Sequence, residues 1–261
     1  MTRPHLALGC LVALLTFGVA APAAEAASSV DYVALGDSYS SGVGAPGQVG
    51  LCLRSPNGYP GQWVAKNSPK SFTNLTCSGA ETSDVLSSQA PDIPSGTDLI
   101  SITIGGNDAG FASTVLSCQV SSDAACATTV ANAESSIGAT LGGKLDNTYA
   151  AIKAKAPRAQ VVVLGYPLLF DTSSSSCGLT GMSLAKRRSL NGGAVVLDDL
   201  IKQRAQAAGF TFSDVRDEFA GHGICASSPY LNGLTLSQNA FHPNKNGYTY
   251  GYLPAFSGAV S

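Results

Sequence analysis

Five short runs, most of them apolar and rich in β-branched residues, alternate with helical segments along this chain. The runs cover residues 30–35, 72–77, 98–104, 160–165 and 210–215. Runs of this length and composition, bounded by glycine or polar turn residues, are typical of buried strands. Buried strands separated by helical crossovers form parallel sheets, because a parallel connection must pass over one face of the sheet. The sequence therefore predicts an α/β fold with a five-stranded parallel sheet.

Helical segments fill most of the gaps between these runs. The pattern predicts helices near 60–67, 83–89, 111–118 and 183–208, and a last helix that has His242 in its first turn. An alanine-rich pattern over 128–156 predicts a longer helix, which Gly138, Gly142 and Gly143 are expected to weaken or break. Together these elements indicate a single-domain three-layer α/β/α sandwich with a flavodoxin-like topology.

The first 26 residues have the features of a signal peptide. Arg3 provides a positive charge, an apolar run follows over 6–21, and Ala24-Glu25-Ala26 fits a small-residue cleavage site. The run is somewhat short for a spanning helix, which needs about 20 residues. We therefore predict export of a soluble monomer without a stable membrane anchor, with residues 1–26 as the signal peptide and 27–261 as one domain.

The charge of the chain argues against a nucleic-acid partner. Only 12% of the residues are charged, the formal net charge is −2, and no basic run occurs. Binding to nucleic acid or to an anionic membrane surface depends on clustered Lys and Arg. The glycines over 42–47 match a dinucleotide-binding pattern, but Pro46 interrupts it and no helix opens there. We therefore expect neither a nucleic-acid partner nor a nucleotide cofactor.

Small and polar residues follow three of the predicted strands or lie in the first turn of the last predicted helix. Ser38 lies in Gly36-Asp37-Ser38 directly after the first strand, Gly79 follows the second, and Asn107 follows the third. His242 lies near the C-terminus, in Phe241-His242-Pro243. The carboxyl ends of parallel strands meet at one edge of the sheet, where α/β folds bind their ligands. A serine there can act as a nucleophile if a base and an oxyanion site converge on it.

This set of residues resembles the SGNH (GDSL-type) hydrolases, whose signature is a serine, a glycine, an asparagine and a histidine in that chain order. The resemblance covers nearly all of the chain after the signal peptide and implies the same sandwich fold. It implies Ser38 as the nucleophile, His242 as the base, and an oxyanion hole made by Ser38, Gly79 and Asn107. It is closest to the exported, three-disulfide branch with its lipases, phospholipases A1 and esterases.

The residue types in these positions suit the chemistry, although each also has a simpler explanation. Activation of a hydroxyl near neutral pH needs an imidazole, and only His222 and His242 follow the signal peptide. His222 is flanked by glycines and is expected to have a structural role or a role at the rim of the site. Asn107 could be a turn residue, but its amide is also a donor for an oxyanion. Asp37 and Asp108 are expected to order loops and cap helices.

The chain departs from the family three residues before the histidine. Most SGNH enzymes have an aspartate there to orient the imidazole, whereas this chain has Asn239. Some relatives in the exported branch use a Ser–His dyad with a main-chain carbonyl in place of the acid, which makes Asn239 and Ala240 the candidates here. We favour the carbonyl of Ala240, because a side-chain amide can flip and present a donor to the imidazole.

Six cysteines remain after the signal peptide, and an exported chain is expected to pair them as disulfides. Six cysteines allow 15 pairings. The predicted topology favours consecutive pairs, and the exported relatives suggest the same. The expected bonds are Cys52–Cys77, Cys118–Cys126 and Cys177–Cys225. Since no C-x-x-C pair occurs, we expect no zinc or redox site and no cofactor.

The sequence thus predicts a secreted serine ester hydrolase that cleaves acyl or lipid esters through an acyl-enzyme. Lipase, phospholipase A1 and acetyl-sugar esterase activities all stay open, with a small-molecule or lipid ester as the substrate. An apolar acyl groove is expected from loop residues that follow the strands: Leu51, Leu53, Leu168, Leu169 and Phe170. The alternative from a different class is a non-catalytic exported binding module on the same scaffold.

Overall fold

The structure is a computed structural model that describes residues 1–2, 29–178 and 181–261. The predicted signal peptide over 1–26 therefore lies outside the described residues except for the first two.

Within that part of the chain, five strands form one all-parallel sheet in the order β2-β1-β3-β4-β5. The strands are β1 (Asp31–Gly36), β2 (Ser71–Asn74), β3 (Leu99–Thr103), β4 (Gln160–Leu164) and β5 (Thr211–Ser213). All five predicted runs are strands, and the order is that of a flavodoxin-like sheet. The prediction of an α/β fold with five parallel strands is confirmed. The strand order changes direction at β1, so the loops after β1 and β3 diverge and leave a crevice between them.

Helices cover both faces of the sheet. They are α1 (Ser38–Ser41), α2 (Tyr59–Asn67), α3 (Thr82–Asp84), α4 (Phe111–Val120), α5 (Asp123–Ser136), α6 (Gly142–Lys155), α7 (Leu184–Ala207) and α8 (Leu253–Ala259). Helix α3 continues into a π-helical segment, Val85–Gln89, and a 3₁₀ turn, Ala90–Asp92. A second π-helical segment, Gly247–Tyr252, leads into α8. Within the described ranges, no helix combines the length and the apolar character needed to cross a membrane.

The long alanine-rich helix is distorted at its glycines but is not broken there. Helix α5 continues through a π-helical turn, Ile137–Leu141, into α6, so the glycines widen the helix locally and do not break it. A Cβ atom at Gly142 would lie 3.0 Å from the guanidinium of Arg204 on α7. The glycine therefore allows two helices to approach closely, and this tertiary packing offsets its low helix propensity.

The core lies on both faces of β1. Tyr32 is fully buried and stacks on Phe256 of α8, with ring centroids 5.6 Å apart, and meets Trp63 of α2 edge to face at 5.1 Å. Its hydroxyl pairs with the Oγ atom of Ser101 on β3 at 2.7 Å, which satisfies a polar group that burial would otherwise penalise. These contacts attach α2 and α8 to one face of the sheet and fix the position of β1, which leads into the loop with Ser38.

Three disulfides cross-link the described part of the chain: Cys52–Cys77, Cys118–Cys126 and Cys177–Cys225. They are the three pairs that the sequence favours. Cys52–Cys77 joins the loop after β1 to the loop after β2, and the backbone N–H of Ser78 also donates to the carbonyl of Cys52 at 3.1 Å. The loops at this edge of the sheet are therefore held together covalently.

Candidate active site

Ser38 is placed by a sharp turn at the carboxyl end of β1. Gly36 has a φ of +111°, and a Cβ atom there would lie 2.2 Å from the carbonyl oxygen of Thr103, so only glycine fits. Asp37 then caps α1, because its carboxylate accepts from the backbone N–H of Tyr39 at 2.9 Å. Ser38 is the first residue of α1, where a backbone N–H has no partner within the helix.

His242 contacts Ser38 directly. Its Nε2 atom lies 2.7 Å from the Ser38 Oγ atom, within hydrogen-bond distance, although the two residues are 204 positions apart. The histidine precedes the last helical segment and does not belong to its first turn, which corrects the sequence expectation. Pro243 instead forms an antiparallel bridge with Leu231, and the backbone N–H of Asn232 donates to the His242 carbonyl at 2.8 Å. This small hairpin carries the imidazole to the serine.

The second ring nitrogen of His242 faces a main-chain carbonyl. Its Nδ1 atom lies 2.9 Å from the carbonyl oxygen of Ala240. The two other candidate acceptors are occupied, since the Asn239 carbonyl accepts from the backbone N–H of His242 at 3.2 Å and the Asn239 side chain accepts from Gln48 at 2.8 Å. Burial lowers the pKa of His242 to about 4, while the hydrogen bond to Ala240 acts in the opposite direction. The imidazole is therefore neutral near pH 7.

Gly79 and Asn107 line the same groove as Ser38. Gly79 has a φ of +82°, and a Cβ atom there would meet nothing within 4 Å, so the backbone is open toward the groove. The Nδ2 atom of Asn107 donates one hydrogen to the carbonyl of Ala80 at 2.9 Å. An amide nitrogen carries two hydrogens, so the second can point into the groove. The structure thus brings together all four residues that the family signature predicts.

Tyr166 connects two of these segments and was not singled out by the sequence analysis. Its hydroxyl donates to the Asp37 carboxylate and accepts from the backbone N–H of Gly106 at 3.0 Å. It therefore joins the serine turn to the turn that carries Asn107. The signal that could have identified it is its position, since it follows β4 at the same edge of the sheet. Burial raises the pKa of Asp37 to about 7, and the hydrogen bond from Tyr166 opposes that shift.

The other two polar candidates have structural contacts. Asp108 accepts from the backbone N–H and the hydroxyl of Thr82 at 2.8 and 2.7 Å, and it pairs with Lys144 at 3.0 Å. His222 stacks on Tyr230 with ring centroids 3.8 Å apart. Both arrangements match the loop-ordering roles expected for them. In the parts of the chain that the structure covers, no three His, Cys, Asp or Glu side chains are grouped to hold a metal ion.

An apolar groove of about 350 Å³ runs over Ser38. Its apolar walls are Phe111, Ala112, Leu116, Leu236 and Phe241.

An apolar groove is present, as the sequence predicts, but the residues predicted to line it do not do so. Leu169 and Phe170 are buried in the core, Leu51 points fully into solvent, and Leu53 and Leu168 do not line the groove. The groove walls come from α4 and from the segment before His242, because those two elements flank the crevice beside β1.

Residues 34–250 match the sequence profile of the GDSL-like lipase/acylhydrolase family. The chain belongs to this family. It is 47% identical over 254 residues to Lipase 1 of Streptomyces coelicolor, an alignment that covers 95% of this chain and 93% of that lipase. With this membership and these relatives, the protein is a carboxylic ester hydrolase of the GDSL type.

Two solved structures have the same fold and are 42% and 46% identical in sequence. Phospholipase A1 from Streptomyces albidoflavus NA297 is 42% identical with a TM-score of 0.86, and covers 89% of this chain and 100% of its own. The extracellular lipase from Streptomyces rimosus is 46% identical with a TM-score of 0.85, and covers 88% and 100%. The structural similarity therefore extends over most of the chain.

Proposed function

We propose that this protein is an exported serine hydrolase of acyl and lipid esters in which Ser38 is the nucleophile and His242 is the general base. The observation that carries the proposal is the 2.7 Å contact between Ser38 Oγ and His242 Nε2 at the floor of an apolar groove. A nucleophile needs a base within hydrogen-bond reach and a pocket that holds the substrate carbonyl against it. Both conditions are met at this position.

The tautomer of His242 follows from its surroundings. A main-chain carbonyl can only accept, so the contact with Ala240 requires the proton on Nδ1 and leaves the Nε2 lone pair free for the Ser38 hydroxyl. The low pKa of His242 keeps the imidazole in this neutral form. The carbonyl thus takes the orienting role of an aspartate, without supplying a full negative charge.

The reaction then proceeds in two halves. Ser38 Oγ attacks the ester carbonyl while His242 Nε2 takes the hydroxyl proton, and collapse of the tetrahedral intermediate returns that proton to the leaving alcohol. Water, activated by the same nitrogen, releases the acid from the acyl-enzyme. The backbone N–H groups of Ser38 and Gly79 and the free amide hydrogen of Asn107 stabilise the oxyanion in both halves.

The groove favours an acyl chain as the part of the substrate that is bound. Its lining is mostly apolar, with uncharged polar side chains such as Thr235, Ser237 and Gln238, and the buried Asp37 is the one carboxylate that reaches it. Both lipase and phospholipase A1 activities fit this groove, and the 42% identity to a phospholipase A1 keeps the second as a candidate. An acetyl-sugar esterase is less well supported, because an acetyl group would leave most of the groove unfilled.

The decisive experiment is Ser38→Ala assayed on a p-nitrophenyl ester. Wild type should release a burst of nitrophenol equal to the enzyme concentration, and the variant should lose about 10⁴–10⁶-fold in turnover with an unchanged unfolding transition. Retention of more than a tenth of wild-type activity would overturn the assignment. A series from acetyl to palmitoyl esters, with phosphatidylcholine, then separates esterase, lipase and phospholipase activities.

Export is part of the same proposal. The three disulfides and the extracellular lipase relative from Streptomyces rimosus support it. N-terminal sequencing of protein from the culture medium should begin near residue 27. Protein that stays inside the cell with residues 1–26 attached would contradict export and leave the catalytic assignment untouched.

A further inference from the structure

We propose that the mouth of the groove is a docking surface for the interface between water and a neutral or zwitterionic lipid. This inference rests on the proposed function and adds to it how the substrate is reached. The surface, called the rim below, consists of six exposed apolar side chains: Val49, Leu51, Leu116, Val120, Leu234 and Leu236.

The rim concentrates the exposed apolar surface of the protein. Apart from Met1, the described residues include nine exposed large apolar side chains, and six of these nine belong to the rim. Leu51, Val120 and Leu236 have relative exposures of 100%, 87% and 110%, so they make almost no contact with the rest of the fold. Single exposed leucines are ordinary, but a cluster around a site opening marks an interaction surface.

Three separate segments carry these side chains, and each segment either lines the groove or is hydrogen-bonded to the residues beside it. The loop with Val49 and Leu51 is held on one side by the bond from Gln48 to Asn239 at 2.8 Å, next to the His242 hairpin. On its other side the Cys52 carbonyl accepts from Ser78, next to Gly79. The loop therefore stands between the base and the expected oxyanion site.

Helix α4 and the His242 hairpin complete the rim. Leu116 and Leu236 line the groove and are also exposed at its edge. Val120 lies four residues after Leu116, on the same face of α4. The rim is thus continuous with the wall that leads down to Ser38. An acyl chain that leaves a lipid layer beneath the rim can enter the groove along an apolar surface.

The absence of charge identifies the kind of lipid. The stretches 41–53, 109–122 and 229–242 contain no Asp, Glu, Lys or Arg. The neighbouring Arg54, which pairs with Val49, donates from its Nε atom to the carbonyl of Thr76 at 2.7 Å. Surfaces that bind anionic lipids have clusters of Lys and Arg, because each basic side chain near such a membrane adds to the affinity. An uncharged rim with leucine and valine tips gains nothing from anionic headgroups, but it buries apolar area in any lipid interface.

The test compares two double variants for vesicle binding and for hydrolysis of a soluble ester. Leu51→Ser/Val120→Ser removes two rim side chains that do not line the groove, and Leu86→Ser/Val196→Ser removes a leucine and a valine exposed elsewhere. Binding to phosphatidylcholine vesicles is measured by flotation, with Ser38→Ala in every protein so that no lipid is hydrolysed. Activity on p-nitrophenyl acetate is measured with Ser38 intact.

The rim variant should bind phosphatidylcholine vesicles at least about tenfold more weakly, because each aliphatic side chain withdrawn from an apolar phase costs that order of affinity. Its activity on the soluble ester should stay within about twofold of wild type, and the control variant should match wild type in both assays. Vesicles with added phosphatidylglycerol should bind no more tightly than phosphatidylcholine alone.

Several outcomes would overturn the inference. They are undiminished binding by the rim variant, no binding by the Ser38→Ala parent, or a strong preference for anionic vesicles. A dimer in solution that Leu51→Ser/Val120→Ser dissociates would show that a second copy of the chain covers the rim. If wild type fails to hydrolyse the soluble ester, the proposed function fails instead, and the binding result stands separately.

Discussion

The side-chain amide of Gln48 donates to the Asn239 side-chain oxygen at 2.8 Å. Asn239 occupies the position at which most of the family has an aspartate that faces the histidine. The Asn239 side chain thus braces the site loop and does not contact the imidazole. Replacement of the acid in an aspartate triad lowers turnover by about 10⁴. Since the Ala240 carbonyl lies 2.9 Å from Nδ1 of His242 and we propose that it orients the imidazole, Asn239→Ala should keep kcat within about tenfold of wild type.

The matched variant for this prediction is Gln48→Ala, which removes the other partner of the same bond. Both variants should have similar small effects on kcat for a soluble ester. A loss near 10⁴ in Asn239→Ala alone would show that the side chain orients His242.

Asn107→Ala should lower kcat by about 10²–10³ with little change in KM. The amide meets negative charge only when the tetrahedral intermediate forms, so its loss affects the transition state and not substrate binding. Its hydrogen bond to Ala80 is also lost, and a thermal unfolding curve checks that the fold is intact. A variant that only raised KM would make Asn107 a substrate-binding or turn residue.

Tyr166→Phe should lower kcat about tenfold and move the acidic limb of the pH profile to higher pH. The hydroxyl donates to the ionised form of Asp37, so its removal raises the pKa of Asp37 further above about 7. A protonated Asp37 accepts less well from the first turn of α1, which holds Ser38. Activity should therefore recover as the pH is raised.

Tyr149→Phe is the control for that shift. Tyr149 is fully buried, and its hydroxyl has no hydrogen-bond partner among the described residues. The substitution removes the same atom from the core without touching the site, so its pH profile should coincide with that of wild type. A pH profile unchanged in Tyr166→Phe would assign that tyrosine a packing role only.

Asp198 should make the protein less stable at alkaline pH. The residue is fully buried, and its Oδ1 atom accepts from the backbone N–H of Tyr166 at 2.8 Å. Its Oδ2 atom has no hydrogen bond among the described residues, but it lies 3.9 Å from Nε of Arg216, whose charge opposes the effect of burial on the pKa. Burial raises its pKa from 3.8 to about 8. The folded state therefore holds a proton that the unfolded state releases above about pH 4, so this contribution to stability is lost as the pH rises through 8.

The measurement is the unfolding temperature of wild type and Asp198→Asn at pH 5 and pH 9. The amide cannot ionise, so the variant should lose less stability between the two pH values. Each unit of pKa difference corresponds to about 1.4 kcal/mol, or about 3–6 °C for a domain of this size. Equal losses in both proteins would remove Asp198 as a source of the pH dependence.

Much of the fold could be predicted because it depends on local patterns. The buried runs of β1, β3 and β4 have a composition that only a covered parallel sheet accommodates, and their helical spacers then restrict the topology. The glycines near Gly142 show the limit. Their effect depends on Arg204, which lies on another helix. Local helix propensity cannot predict a tertiary contact of that kind.

The site likewise has a part that the sequence predicts and a part that depends on tertiary packing. Ser38, Gly79 and Asn107 follow strands directly, so the sheet alone brings them to one edge. The hydrogen bond from Gln48 to Asn239 joins residues 191 positions apart in two irregular loops. No sequence pattern in either loop predicts this contact. The groove walls were misassigned for a related reason, since which side of a loop faces the crevice is decided by packing.

Each disulfide joins a cysteine to the next one along the chain, with sequence separations of 25, 8 and 48. If the polypeptide enters an oxidising compartment N-terminus first, every cysteine meets its native partner before a later thiol arrives. The cross-links can then form during translocation in their final arrangement, and thiol–disulfide isomerisation is not needed to correct them. Expression in a host with a simple periplasmic oxidase but no isomerase should therefore yield correctly bonded enzyme.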